Sequence, residues 1–166
     1  MVALVPRELA RSNRVWQGKI PIASFSRLHE VLGIRDGHVR VQLDFSYDEN
    51  GRVRIVGQAV APAELMCYSC MKTLERDVTA EIDVCIVSSE REAREIFADF
   101  DAVVLHDGPT TIEELVEDDI LLSVPTRVCP DGESCTNRPQ SMGDNAKSKY
   151  RPFEQIGQVV KTVEKS

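Results

Sequence analysis

Two cysteines separated by two residues, Cys67 and Cys70, are the clearest chemical feature of the sequence. Such a pair can act as a redox dithiol or can hold a metal ion from a tight loop. A redox dithiol of the thioredoxin type follows a strand and opens a helix, whose N-terminus lowers the thiol pKa. The residues after Cys70 alternate like a strand, so this context disfavours the redox interpretation.

A metal site is the second interpretation of the pair. A closed structural zinc site needs four ligands, and Cys129 and Cys135 are the natural candidates for the other two. Their spacer, Pro-Asp-Gly-Glu-Ser, is rich in turn-forming residues and can fold back on itself. We therefore predict a structural Zn²⁺ site formed by Cys67, Cys70, Cys129 and Cys135. The alternative is that all four are ordinary thiols.

The cysteine count also bears on the compartment. Five cysteines, with no apolar signal segment in residues 1–14, argue against a disulfide framework. No stretch is long and apolar enough to cross a membrane. We expect a cytoplasmic protein with reduced thiols and no membrane contact, in which Cys85 is a small buried apolar side chain.

The elements that must position the dithiol are strands. Val39, Val41, Leu43 and Phe45 alternate with polar residues, and Asn50-Gly51 predicts a hairpin turn into a return strand. Gly57 suggests a bulge in that strand, and Pro62 predicts its interruption. Residues 74–87 alternate again. The dithiol is therefore expected between two antiparallel strands.

Four helices are predicted around these strands, at residues 6–12, 24–32 and 89–97, and after a cap at Thr110 or Thr111. The fold class is α+β, with an antiparallel, strongly curved sheet for which a barrel-like form is one option, short packing helices and a C-terminal tail helix. Residues 1–135 form one domain. Residues 136–150 are expected to be a flexible linker, and residues 151–166 an amphipathic helix.

Charge is unevenly distributed along the chain. Residues 1–60 carry nine Lys and Arg against six Asp and Glu, whereas residues 61–130 carry five against sixteen. This excludes a uniformly basic nucleic-acid-binding protein but allows a polarised surface. The basic N-terminal third predicts an RNA-binding set, with exposed solubilising charge as the alternative. It comprises Arg11, Arg14, Lys19 and Arg27.

Acidic residues cluster on the helix that follows Thr111. Their spacing places them opposite its apolar face, so we interpret them as a solvated or partner-facing surface rather than as an acid–base or cation site. The residues concerned are Glu113, Glu114, Glu117 and Asp118. No nucleophile elbow, P-loop or dinucleotide fingerprint is present in the sequence, so we expect neither catalysis nor a small-molecule substrate.

An ordered set of motifs resembles a known family. The set comprises Val56-Gly57, the C-x-x-C before a long strand, the segment Glu114 to Pro125 with a cysteine shortly after it, and Arg151-Pro-Phe opening a C-terminal helix. Together these resemble the YceD-like family of bacterial and plastid proteins, over about residues 16–161. The acidic Leu-Val-Glu-Asp-Asp-Ile segment with its following proline is the most distinctive part.

This resemblance implies a non-catalytic role in the synthesis, processing or stability of 23S ribosomal RNA. The implied partners are 23S rRNA or its precursor, ribosomal proteins, or both. The family's recurring cysteines correspond to Cys67, Cys70 and Cys135. Many relatives carry a histidine-containing stretch before the last cysteine, where this chain has Cys129, and a Cys can replace a His on zinc. Two alternatives remain: a zinc-stabilised protein-interaction module without RNA contact, and a thiol oxidoreductase.

Overall fold

A five-stranded sheet forms the centre of the computed structural model, which describes residues 3–96, 101–105, 108–132 and Cys135. The strands are β1 (Ala3–Leu4), β2 (Val15–Pro21), β3 (His38–Tyr47), β4 (Val53–Met66), β5 (Thr73–Val87), β6 (Asp101–Val104) and β7 (Thr110–Thr111). The helices are α1 (Pro6–Arg11), α2 (Leu28–Val31), α3 (Glu90–Ile96) and α4 (Ile112–Ser123), with a 3₁₀ turn at Ile22–Ser24. The predicted α+β class is confirmed.

The order of the sheet is β2-β3-β4-β5-β6. The first four strands are antiparallel, and β6 pairs with β5 in parallel. A short antiparallel pair joins β1 to β7, which the sequence did not predict. Within the described residues β2 and β6 each have one neighbouring strand, so the sheet is open. The sheet is not strongly curled either, so the predicted strong curvature and its barrel-like option are not supported.

The main core lies on one face of the sheet. Alternate strand residues such as Leu43, Ile55 and Ile82 are fully buried there, against residues of α1, α2 and α4. Cys85 and Val87 point to the other face and pack with Ile96 of α3 in a second, smaller cluster. Cys85 is therefore a buried apolar side chain, as predicted. The rest of that second face, on β2, β3 and β4, is half-buried or exposed.

The β4–β5 hairpin extends beyond β3 and carries the dithiol at its end. Pairing with β3 ends at Val60, whereas pairing with β5 continues to Met66. The predicted interruption at Pro62 is wrong, because the proline lies where β3 no longer pairs and its missing N–H costs no bond to that strand. The Glu64 N–H donates to the Leu32 carbonyl at 2.8 Å and anchors this part of the hairpin.

Gly57 is a site of close approach rather than a bulge. Leu43, Gly57 and Ile82 pair directly across three strands with no change of register. A methyl group on Gly57 would overlap the Gln42 carbonyl oxygen. The glycine is therefore required by the packing of backbone on backbone.

Two helices differ in how well the sequence predicts them. The helix expected at residues 24–32 is shorter than predicted and comprises only α2. It begins at Leu28, because the Arg27 N–H donates to the Glu117 carboxylate at 2.8 Å instead of to a helical carbonyl. α4 begins as predicted, with a reciprocal capping box between Thr111 and Glu114. The predicted linker (136–150) and tail helix (151–166) lie outside the described residues. Of the helices in the described ranges, none is long and apolar enough to cross a membrane.

Candidate metal centre

The loop between β4 and β5 holds the first two thiols. The Cys67 N–H donates to the Lys72 carbonyl at 2.9 Å, and the Met71 N–H donates to the Cys67 carbonyl at 2.7 Å. Met71 adopts a left-handed conformation, with φ of 61°. This conformation turns the chain after Cys70 and leads it into β5.

Backbone N–H groups point at the sulfur atoms. The N–H groups of Cys70 and Ser69 donate to the Cys67 sulfur and lower the pKa of that thiol to about 7. The Lys72 N–H donates in the same way to Cys70. Such donors stabilise a thiolate, which is the form of cysteine that binds metal.

The second pair of thiols comes from the segment after α4. The Gly132 N–H donates to the Cys129 carbonyl at 3.1 Å, and Gly132 has a φ of 55°, so the predicted turn is present. The Asp131 N–H donates to the Cys129 sulfur. The Asp131 carboxylate also lies 2.6 Å from the Lys72 ammonium and joins the two halves of the site.

All four sulfur atoms lie within 4.8 Å of one another. The Cys67–Cys135 sulfur distance is 4.0 Å and the Cys70–Cys129 distance is 3.7 Å. A tetrahedral ion with metal–sulfur bonds of about 2.3 Å requires sulfur atoms about 3.8 Å apart. The four residues therefore fit a four-coordinate ion, and the cluster could hold a metal.

The electrostatics of the cluster favour a cation. Burial and the neighbouring sulfur atoms raise the pKa of Cys129 to about 12. The Lys72 N–H lowers the pKa of Cys70, but burial and the neighbouring Cys67 together outweigh it, so the net pKa is raised. Four adjacent thiols cannot all ionise at neutral pH without compensation, whereas a divalent ion would stabilise four thiolates together.

The local structure around the dithiol differs from that of a thioredoxin-type site. Cys70 is followed by β5 and not by a helix, as the alternation of the sequence predicted. A pKa near 7 at Cys67 is compatible with redox chemistry. However, the lowered pKa of Cys67 comes from N–H groups of its own loop and not from a helix N-terminus. Two further thiols complete the cluster, which favours a metal site over a redox dithiol.

The four predicted RNA-binding residues differ in their contacts. Arg27 is bound to α4, with its guanidinium 3.1 Å from Glu117 and 2.6 Å from Asp118. Arg11, Arg14 and Lys19 are exposed and make no ion pair with another described residue. Arg27 therefore differs from the other three, because it stabilises the packing of α2 against α4.

The acidic residues of α4 are less exposed than predicted. Glu113 and Glu117 are buried, at 9% and 8% exposure. Glu117 also accepts a hydrogen bond from the Ser26 hydroxyl at 2.9 Å, and Glu114 is occupied by the capping box. The expected exposed face is wrong for Glu113 and Glu117. Glu117 is covered by Ser26 and Arg27, the two residues that lead into α2. Asp118 remains exposed.

Sequence reasoning missed the contacts that support the site. Lys72 and Asp131 each follow a cysteine by two residues, and this shared spacing was the available signal. Comparison with known proteins adds no further assignment, since no family model, curated protein or solved structure matches the chain.

Proposed function

We propose that this chain is a non-catalytic binding protein, stabilised by one zinc ion, that acts in the biogenesis of the large ribosomal subunit. The observation that carries the first part is the cluster of four thiols from two separate segments. Four protein ligands leave no open position for a substrate, which is typical of structural rather than catalytic zinc.

Zinc is the favoured ion for chemical reasons. Thiolates are soft ligands that select zinc, copper(I) or iron, and a single mononuclear site of four cysteines is typical of structural zinc. The ion would join the β4–β5 hairpin to the segment after α4. This would stabilise a region in which residues 67–72 form no strand or helix.

The ribosomal part rests on the resemblance to the YceD-like family and on charge. The strongly acidic stretch of residues 61–130 suits a basic ribosomal protein, and the exposed Arg11, Arg14 and Lys19 suit RNA phosphates. A protein that binds RNA and protein without catalysis needs no catalytic constellation.

Metal content tests the zinc part. The purified chain should contain one zinc per molecule, and the Cys129→Ser variant should lose most of it after dialysis. A Cys85→Ala variant is the matched control. Cys85 lies in the small apolar cluster with Val87 and Ile96, so its substitution should leave the zinc content unchanged. A wild-type protein purified under reducing conditions without any bound metal would refute the zinc part.

Depletion in the source cells tests the ribosomal part. Loss of the chain should lower 23S rRNA relative to 16S rRNA, and the wild-type chain should restore it. An unchanged ratio, with normal large subunits, would contradict the proposed role. The zinc assignment would be unaffected, because it is measured on the isolated protein.

A second candidate function is a protein-interaction module without RNA contact. Three large apolar side chains are exposed at the hairpin that carries the dithiol: Met66 (40%), Tyr68 (84%) and Met71 (63%). Exposed apolar side chains grouped in this way favour a protein contact. Partners that remain bound after ribonuclease treatment, and that are lost with Tyr68→Ala, would favour this function.

A further inference from the structure

The uncovered part of the second sheet face contains a shallow groove. It has a volume of about 330 Å³ and crosses β2, β3 and β4. Its walls include three carboxamides that form one row across the strands, Gln17, Gln42 and Gln58. The lining also includes Lys19, Arg40 and the apolar Val60. Within the described residues no carboxylate lines this groove.

Two cationic side chains are adjacent in the groove. Lys19 and Arg40 are directly paired across β2 and β3, and their side chains lie on the same exposed face. Like charges in directly opposite positions destabilise an antiparallel pair. An anion bound between them would remove this repulsion.

Only one of the two cations is compensated within the chain. Arg40 lies 2.9 Å from the Asp77 carboxylate, an ion pair in which both side chains are about half exposed. Lys19 makes no ion pair within the described part of the chain. Arg54, further along the same face, is bound to Asp83 at 2.6 Å. The positive charge open to a ligand is therefore concentrated at the β2 edge of the groove.

We propose that this groove binds a short segment of single-stranded RNA, with a phosphate between Lys19 and Arg40. The inference rests on the proposed ribosomal function and adds the contact surface. The carboxamides of Gln17 and Gln42 can donate to and accept from base edges or ribose hydroxyls. Gln58 already donates to Glu81 at 2.7 Å, so it marks the far boundary of the groove. Two carboxylates lie beside the groove on the same face. Asp77 on β5 repels the RNA backbone from the far side, and Asp44, opposite Val15 of β2, limits how far the backbone can extend along β3.

Two substitutions with opposite expected effects test the proposal. Lys19→Gln removes a phosphate contact and should weaken binding of a labelled oligouridylate at least about threefold. It should also lower the slope of log affinity against log salt by about 0.7. Asp77→Asn releases Arg40 and should tighten binding instead. Arg35→Gln, which removes an exposed cation outside the groove, is the matched control and should change affinity much less.

The measurement is fluorescence anisotropy on the full-length, zinc-loaded chain at low salt, with melting curves to show that each variant is folded. No RNA binding by the wild type, or equal losses of affinity for Lys19→Gln and Arg35→Gln, would refute the groove as the RNA-binding site. A polyglutamate peptide that competes as strongly as RNA, and with the same dependence on Lys19, would overturn the assignment to RNA. If depletion of the chain lowered 23S rRNA but these binding changes were absent, only the groove assignment would be contradicted, and the proposed ribosomal function would stand.

Discussion

The Lys72 ammonium lies 2.6 Å from the Asp131 carboxylate and connects the two halves of the cysteine cluster. Lys72 follows Cys70 by two residues, and Asp131 follows Cys129 by two residues. The backbone N–H of each also donates to the sulfur of the preceding cysteine. The two segments are thus related in local structure and are joined by an ion pair as well as by the thiols.

Chelation should destabilise the protein strongly if the cluster holds zinc. A ligand at a thousandfold excess over its Kd contributes about 4 kcal/mol, so removal should lower the melting temperature by roughly 10 °C. Thermal melting with and without a strong chelator measures this. The same fall in melting temperature on chelation is expected in Cys85→Ala. Cys129→Ser should already melt at a low temperature, which the chelator does not change. A wild-type melting temperature insensitive to chelation would contradict a stabilising ion.

Asp131→Asn should weaken metal retention without abolishing it. The substitution removes the ion pair with Lys72 but keeps the Asp131 N–H that supports Cys129, so we expect zinc to transfer to a competing chelator less than about tenfold faster. The difference should shrink at high salt, because Lys72 is more than half exposed and its charge is screened. A variant that loses zinc as completely as Cys129→Ser would show that the side chain has a larger role.

Glu117→Gln should destabilise the fold by about 1–3 kcal/mol, since a buried carboxylate with charged and backbone donors is replaced. Burial raises the pKa of Glu117, but the donors Arg27 and Ser26 outweigh burial and the net pKa is lowered. The carboxylate therefore adds stability above its unfolded pKa, and this is lost as pH falls through the lower folded value. Urea unfolding from neutral to acidic pH measures both effects.

Asp118→Asn is the control for this experiment. Asp118 also contacts Arg27, but its side chain is 75% exposed, so the change should stay below about 0.5 kcal/mol. If Glu117→Gln retained the full acid dependence of the wild type, Glu117 would not be the source of that dependence.

Gly57→Ala should destabilise the sheet by about 3 kcal/mol or more, because the added methyl overlaps the backbone of β3. Gly51→Ala tests the turn by comparison. Gly51 has a φ of 76° with no atom within 4 Å of an added methyl, so only backbone strain of about 1 kcal/mol is expected. Denaturant midpoints of the two variants give the comparison, and equal losses would disprove the close approach at Gly57.

The sequence predicted most of the strands and their faces. Alternation in residues 39–45 and 74–87 predicted which side chains are buried, because successive strand residues point to opposite faces. It failed where an interaction between distant segments decided the outcome. The helix at 24–32 was predicted too long, since Glu117 takes the Arg27 N–H, and no local signal indicates that contact.

The cysteine site shows the same division. Residue type and spacing by themselves determined that Cys67 and Cys70 share one loop and that a turn separates Cys129 from Cys135, because these depend on neighbouring residues. Only the tertiary structure decided that the two pairs meet, since this requires the long β4–β5 hairpin and the end of α4 to lie side by side. It also decided that Glu113 and Glu117 are buried and that the exposed Arg27 is held by Glu117, because burial and ion pairing depend on which elements pack together and not on charge alone.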